Sequence, residues 1–292
     1  MSILDDLKLQ FKIGDVITKL IFWNVILFII PASVFGILSL FNLKIDYLNY
    51  FSLSTNPFDL LVKPWSLISY AFFHSGILHL LFNMMMLHFS GRLFLTFFTQ
   101  KQLVSLFFVS ALFSGILYIL SYMFFPALTH QSTTMVGASA AVMAILFATV
   151  SYAPLLQIRL LFFGSVKLWH LALLFVVLDL IQLPLNNTGG HLAHLSGALF
   201  GYLYVWQIKK GTDVCGWFTA ILDFFATQFG RKKRTPFKKV HRTYQTPSQK
   251  PSKIITKDKQ QQQIDEILDK ISLSGYDSLT AEEKDFLFKA GK

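Results

Sequence analysis

Apolar residues run along the first two thirds of this chain in long blocks, broken by short polar punctuation instead of alternating with it. The blocks lie at 18–41, 76–98, 102–125, 137–153, 168–184 and 189–208. A helix needs about 20 mostly apolar residues to cross a bilayer. The pattern therefore predicts six membrane-spanning helices, the fourth of them short and beginning abruptly at Gly137. The stretch 42–75 is too polar and too interrupted by proline to span, yet it is rich in Phe, Tyr and Leu and holds Trp65. It reads as a long interfacial loop lying partly in the membrane. The expected fold is all-α: a polytopic membrane bundle of six transmembrane helices, with that loop after the first helix and a small helical tail at the C-terminus.

Charge sharpens the division. Residues 1–208 carry 9 Lys and Arg and 6 Asp and Glu, and residues 209–292 carry the other 17 and 10. The chain as a whole is 14% charged, where a soluble domain averages about 25%. Four segments are expected: a cytoplasmic N-terminal segment at 1–17, the membrane domain at 18–208, a basic amphipathic segment and flexible linker at 209–262, and a helical hairpin at 263–292. Lys101, Arg159 and Lys167 follow the second and fourth blocks, and Lys209, Lys210 and the Arg231–Arg234 cluster follow the sixth. Positive charge near helix ends stays on the cytoplasmic side, so both termini are expected there. The N-terminus is amphipathic and acidic, unlike a signal peptide. Cys215 has no partner for an intrachain disulfide.

Polar groups inside apolar spans are costly and usually functional. Ser139, in Gly137-Ala-Ser-Ala140, opens a helix entered from a polar loop. A serine in a membrane helix is ordinarily a packing residue. Here the free N–H groups of a helix start can also face a developing oxyanion, and Gly137 lets another backbone approach. His194 lies one turn before Gly197, which forms a close-packing face with Gly201. His79 and Asn83 are stacked by one turn on one face and can aim two donors at one point, as an oxyanion hole requires. Asp179 falls near the end of the fifth block, at about the depth of His194. It could orient that histidine, but a carboxylate bonded to a loop or to water is the commoner case, and no triad role is expected of it.

A serine and a histidine at one depth suit nucleophilic catalysis, because a hydroxyl needs a base to take its proton. A metalloprotease reading lacks H-E-x-x-H and any glutamate in the spans. His191 and His194 have a possible metal spacing, but no third ligand lies nearby in sequence. An aspartyl mechanism needs two intramembrane carboxylates, and Asp179 is alone in the blocks. No metal and no cofactor are expected.

Over about residues 15–208 the sequence resembles the rhomboid intramembrane serine proteases. The matching motifs are HLLFN at 79–83, GASA at 137–140 and AHLSGALFG at 193–201, on the second, fourth and sixth blocks in the family's order. The resemblance implies an endopeptidase with Ser139 as nucleophile and His194 as base, in a dyad without a carboxylate. It implies that His79, Asn83 and the Ser139 N–H stabilise the oxyanion, beside Gly137. It also implies single-span membrane proteins as substrates, and a bacterial inner membrane as the setting. Two departures stand out: Ala140 where many members have Gly, and Trp65 in the first loop without a neighbouring Arg. The alternative is a catalytically silent relative that binds client transmembrane helices.

The tail adds lesser expectations. Residues 212–226 read as an amphipathic helix on the inner membrane surface. The basic run at 231–242 would attract anionic lipid at about 1 kcal/mol per charge, and nucleic acid is not expected as a partner. Residues 243–262 read as a flexible linker. Ile264, Ile267, Leu268 and Ile271 then follow helical spacing, Gly275 ends that helix, and Thr280 with Glu283 offers a capping box for a second.

Overall fold

A computed structural model describes residues 2–160, 164–185, 187–229 and 255–290. The chain divides into two compact units, Met1–Lys232 and Lys233–Lys292.

The first unit is helical. A short α1 (Ile3–Ile13) ends at Gly14, and α2 (Val16–Leu40) follows. Asp15 starts α2 by accepting from the Thr18 N–H at 3.0 Å, which satisfies one of the donors a helix start leaves open. α2 is apolar all round and buries only Ile17, Leu20 and Asn24. Such a helix has no polar face to give to water.

The loop expected to be interfacial is more structured than the pattern implied. It contains α3 (Tyr47–Phe51), β1 (Leu53–Ser54), α4 (Asp59–Val62), α5 (Ser66–Ser69) and a 3₁₀ turn at Tyr70–Phe72. Leu53, Tyr70 and His74 are fully buried, so the loop is part of the core. Trp65 remains half-exposed and donates its indole N–H to the Tyr50 carbonyl.

Then come α6 (Ile77–Phe94), α7 (Gln100–Phe124), β2 (Thr134–Met135), α8 (Ser139–Tyr152), a β3–β4 hairpin (Gln157–Leu160 and Gly164–Lys167), α9 (Leu168–Gln182) and α10 (Thr188–Ile208). α8 lies at the centre: every residue from Ala140 to Leu146 is buried. Two glycines explain how α10 reaches it. A Cβ on Gly197 would collide with the Ala140 carbonyl, and one on Gly201 with the Ala144 carbonyl. Backbone therefore packs on backbone, as small-xxx-small faces allow. At the far end of the pair Lys209 donates to the Ser151 carbonyl at 2.9 Å.

Among the described residues α2, α6 and α7 are long and apolar enough to cross a membrane. The pattern predicted six such helices. α8 and α9 are apolar but have 14 and 15 residues, about 20 Å of rise against a hydrocarbon core of about 30 Å. α10 has 21 residues, but its run is interrupted by His191, His194, Ser196 and four glycines. The mainly helical architecture and the three apolar spans make this a membrane protein.

Beyond α10, the segment expected to lie on the membrane surface is α11 (Gly216–Phe229), and it is docked on the bundle. Lys101 of α7 reaches both oxygens of Asp223 at 2.8 Å, Ser105 meets the Thr219 hydroxyl, and Cys215 is fully buried. The basic cluster at 231–242 lies outside the described residues.

In the second unit, α12 (Ile255–Ser274) begins well before the expected start at Ile264. The linker expected at 243–262 is therefore helical from Ile255, and its earlier part lies outside the described residues. The glutamine run has good helix propensity even though it lacks apolar periodicity. Gly275 ends α12 with φ of 79°, a conformation that glycine adopts without strain. α13 (Ala281–Ala290) starts with the Thr280–Glu283 capping pair, and Lys270 of α12 holds Glu283 at 2.9 Å.

Candidate active site

Four helices contribute side chains to one cavity of about 340 Å³. His79 and Asn83 come from α6, Ser139 from α8, Asp179 from α9, and His191 and His194 from α10. Phe82, Met86, Val142, Met143, Phe175 and Leu178 make its apolar walls. An apolar cleft with a few convergent polar groups is the ordinary form of a ligand site.

The approach to Ser139 is held from two sides. β1 pairs with β2 in antiparallel register, Leu53 opposite Met135 and Ser54 opposite Thr134. The Gly137 N–H donates to the Tyr70 carbonyl at 2.8 Å, and the Tyr70 hydroxyl donates to the Ala111 carbonyl of α7 at 2.8 Å. Gly137 has φ of 128°, a conformation that side chains rarely tolerate. A Cβ at that position would also lie 2.8 Å from His79 Nε2 and 3.7 Å from Ser139 Oγ. The glycine thus brings the imidazole and the hydroxyl to one place.

α8 begins at Ser139 behind a fully buried Ala138, and no side chain caps it. The first N–H groups of a helix have no acceptor within it. Here they open beside the cavity, at the positive end of the helix dipole.

His79 and Asn83 face the cavity in different ways. Ser75 Oγ lies 3.0 Å from His79 Nδ1, which leaves Nε2 on the Gly137 side. Asn83 Nδ2 donates to the His79 carbonyl at 2.9 Å. The pair was expected to aim two free donors at one point. One amide hydrogen of Asn83 instead closes a bond to its own helix, as polar side chains in helices often do.

Asp179 departs further from expectation. It is 6% exposed, and its partners are side chains of the neighbouring helix. Its Oδ1 pairs with Nδ1 of His191 at 2.7 Å and Nδ1 of His194 at 2.9 Å. An ionised carboxylate can only accept, so in that state both Nδ1 atoms carry hydrogens, and a ring that is neutral keeps its lone pair on Nε2. The ligand atoms of these three residues lie within 4.8 Å of one another. The third group that His191 and His194 lacked in sequence therefore arrives from α9. The α9–α10 connection is short, so the last turn of α9 faces the first turns of α10.

Ser75 and the His191–Asp179 link were not anticipated as parts of the site. Ser75 stands four residues before His79, a spacing that joins side chains on helices, but it lies just outside the helix. Asp179 and His194 are 15 residues apart, and only the hairpin joins them.

A helix start bearing a serine, a histidine on a glycine-packed neighbour and a second imidazole thus line one cavity of a helical bundle. Comparison with known proteins agrees on the family. The model of the rhomboid domain matches residues 62–211, just over half of the chain. The chain belongs to the rhomboid family. Residues 255–289 match a family of unknown function (DUF6576). The chain is also similar to the RHOMBOID-like protein 12, mitochondrial, of Arabidopsis thaliana, at 28% identity over 196 residues. That similarity covers 63% of this chain and 58% of the relative's length.

Proposed function

We propose that the protein is an intramembrane serine endopeptidase, with Ser139 as nucleophile and His194 as general base. The observation that carries this reading is the shared cavity, which Ser139 at an uncapped helix start lines together with His194, His79 and Asn83 in a largely apolar setting. In the proposed reaction His194 Nε2 takes the Ser139 proton as Oγ attacks the scissile carbonyl. The oxyanion accepts from the Ser139 N–H and from His79 Nε2–H, the tautomer that a Ser75 hydroxyl donating to Nδ1 selects. His194 returns the proton to the leaving amine, and water then releases the acyl group by the same steps.

The same reading makes α8, α9 and α10 membrane helices with α2, α6 and α7, six in all. α8 is short because it starts at the cavity. Backbone at membrane depth is tolerated where it is buried in protein or lines such a space. Substrates are then membrane proteins whose single spans unwind to present a carbonyl. A bacterial inner membrane with both termini in the cytoplasm, and anionic lipid at the basic tail, belong to this reading.

The test is labelling of the detergent-purified protein with a fluorophosphonate, alongside cleavage of a single-span model substrate. Labelling and cleavage should both be lost in Ser139→Ala, and cleavage in His194→Ala. A wild-type protein that binds the substrate but is neither labelled nor able to cleave it would be a silent client-binding relative instead.

A further inference from the structure

We propose that Asp179 is a positioning residue for His194, so that the site works as a carboxylate–histidine–serine relay with His191 locking the carboxylate. This rests on the serine-protease reading above.

Asp179 sits in the last turn of α9 among apolar neighbours, Phe175 and Leu178 on its own helix. Burying a carboxylate there is costly unless the charge is paired. Backbone donors could supply such pairing. The partners of the Asp179 side chain among the described residues are instead imidazoles, and both bond through Nδ1 to one oxygen.

That choice has a chemical consequence. A histidine that donates Nδ1–H to a carboxylate is held in the tautomer with a free Nε2, and its ring cannot turn about its own axis. Nε2 is the nitrogen that must receive the serine proton. The ionised carboxylate also favours the imidazolium that forms as the proton moves. His191, 9% exposed and one turn before His194, bonds the same oxygen and stops the carboxylate from swinging away. The three groups form a fixed chain across two helices, and Gly197 then sets α10 against α8, which bears Ser139.

The same donor set is compatible with a bound divalent cation. A buried and a partly buried imidazole with a buried carboxylate suit zinc. A cation there would take the Nδ1 lone pairs and reverse the tautomer, so the two occupancies predict opposite responses to metal.

Full-length Asp179→Asn, Asp179→Glu and His191→Gln proteins should be assayed in detergent for kcat, KM, rate of fluorophosphonate labelling and Tm. Replacing the carboxylate in a soluble triad lowers kcat about 10,000-fold, and a loss of at least about 100-fold is expected for Asp179→Asn. KM and Tm should stay near wild type, and labelling of Ser139 should slow by a similar factor. Asp179→Glu should recover part of the loss, and His191→Gln should cost less than Asp179→Asn. A chelator should leave the wild type unchanged.

Three results would overturn the proposal. One is an Asp179→Asn enzyme within about threefold of wild type in kcat. Another is a loss of kcat matched by a fall in Tm, with no rescue by Glu. The last is activity abolished by chelator and restored by zinc. If Ser139→Ala is inactive while Asp179→Asn is normal, only this inference fails. If Ser139→Ala still cleaves, the serine-protease reading fails and takes this one with it.

Discussion

Gly197 of α10 lies directly against the carbonyl of Ala140 in α8, one residue past Ser139. His194 stands one turn before that contact, so the approach of the two backbones sets how far the imidazole stands from the hydroxyl. A Cβ would strike a main-chain oxygen that cannot rotate away. Overpacking a tight core costs about 1–3 kcal/mol. Gly197→Ala is expected to lower both Tm and turnover, and Gly197→Val to lower them further. Gly36, on the exposed side of α2, has nothing within 4 Å of its Cβ position. Gly36→Ala should leave turnover unchanged and Tm equal or higher. Equal behaviour of Gly197→Ala and Gly36→Ala in thermal melts and cleavage assays would show that the helix pair has slack.

Ser75 is expected to tune catalysis through His79. Its hydroxyl is within bonding distance of Nδ1, and Ser75 itself is exposed, so folding has little stake in it. Ser75→Ala removes one hydrogen bond worth about 1 kcal/mol. The expected loss in kcat is about fivefold, with Tm unchanged, and Ser75→Thr should retain most activity. A wild-type kcat in Ser75→Ala would mean that the His79 tautomer is set by something else.

His79 and Asn83 should not be equivalent. His79 Nε2 stands beside Gly137, whereas one Asn83 amide hydrogen is engaged with the His79 carbonyl. Loss of a full oxyanion donor costs about 100- to 1000-fold in kcat. His79→Ala is expected in that range. Asn83→Ala should cost less in kcat and more in Tm, because Asn83 is buried and tied to its helix. The reverse order in single-turnover measurements would make Asn83 the stronger of the two donors that the one-turn spacing pairs.

Much of this site was legible before the fold was known, because the physics that marks it is local. His79 and Asn83 share a helical face by spacing, Gly197 and Gly201 announce close packing, and Gly137 followed by Ser139 marks a loop-to-helix entry. What escaped depends on which groups meet in space. Asp179 looked like a lone carboxylate, since a hydrogen bond across a helical hairpin leaves no periodic trace. The docking of α11 on α7 through Asp223 and Thr219 also left no trace, because an amphipathic stripe does not name the element it packs against. The helical start of α12 at Ile255 was hidden by a glutamine run, where propensity acts without apolar spacing. The loop at 42–75 was read from its polarity, yet Leu53 and Tyr70 carry it into the core.

Asp15 makes an acid-labile clasp at the start of α2. Its carboxylate accepts from the Thr18 N–H at 3.0 Å and the Thr18 hydroxyl at 2.9 Å, and it pairs with Arg92 of α6. Burial pushes its pKa up. The two Thr18 bonds and the Arg92 charge outweigh that and hold it below the usual carboxylate range. A group whose folded pKa is depressed stabilises the protein above its unfolded pKa, about 3.9 for Asp. That contribution is lost as pH falls through the lower folded value. Asp15→Asn keeps an oxygen that can cap the helix, so it removes the charge while preserving the cap. The variant should melt below wild type at neutral pH, and the two curves of Tm against pH should converge below about pH 4. Parallel curves down to pH 3 would assign the acid sensitivity to other carboxylates and leave Asp15 a cap alone.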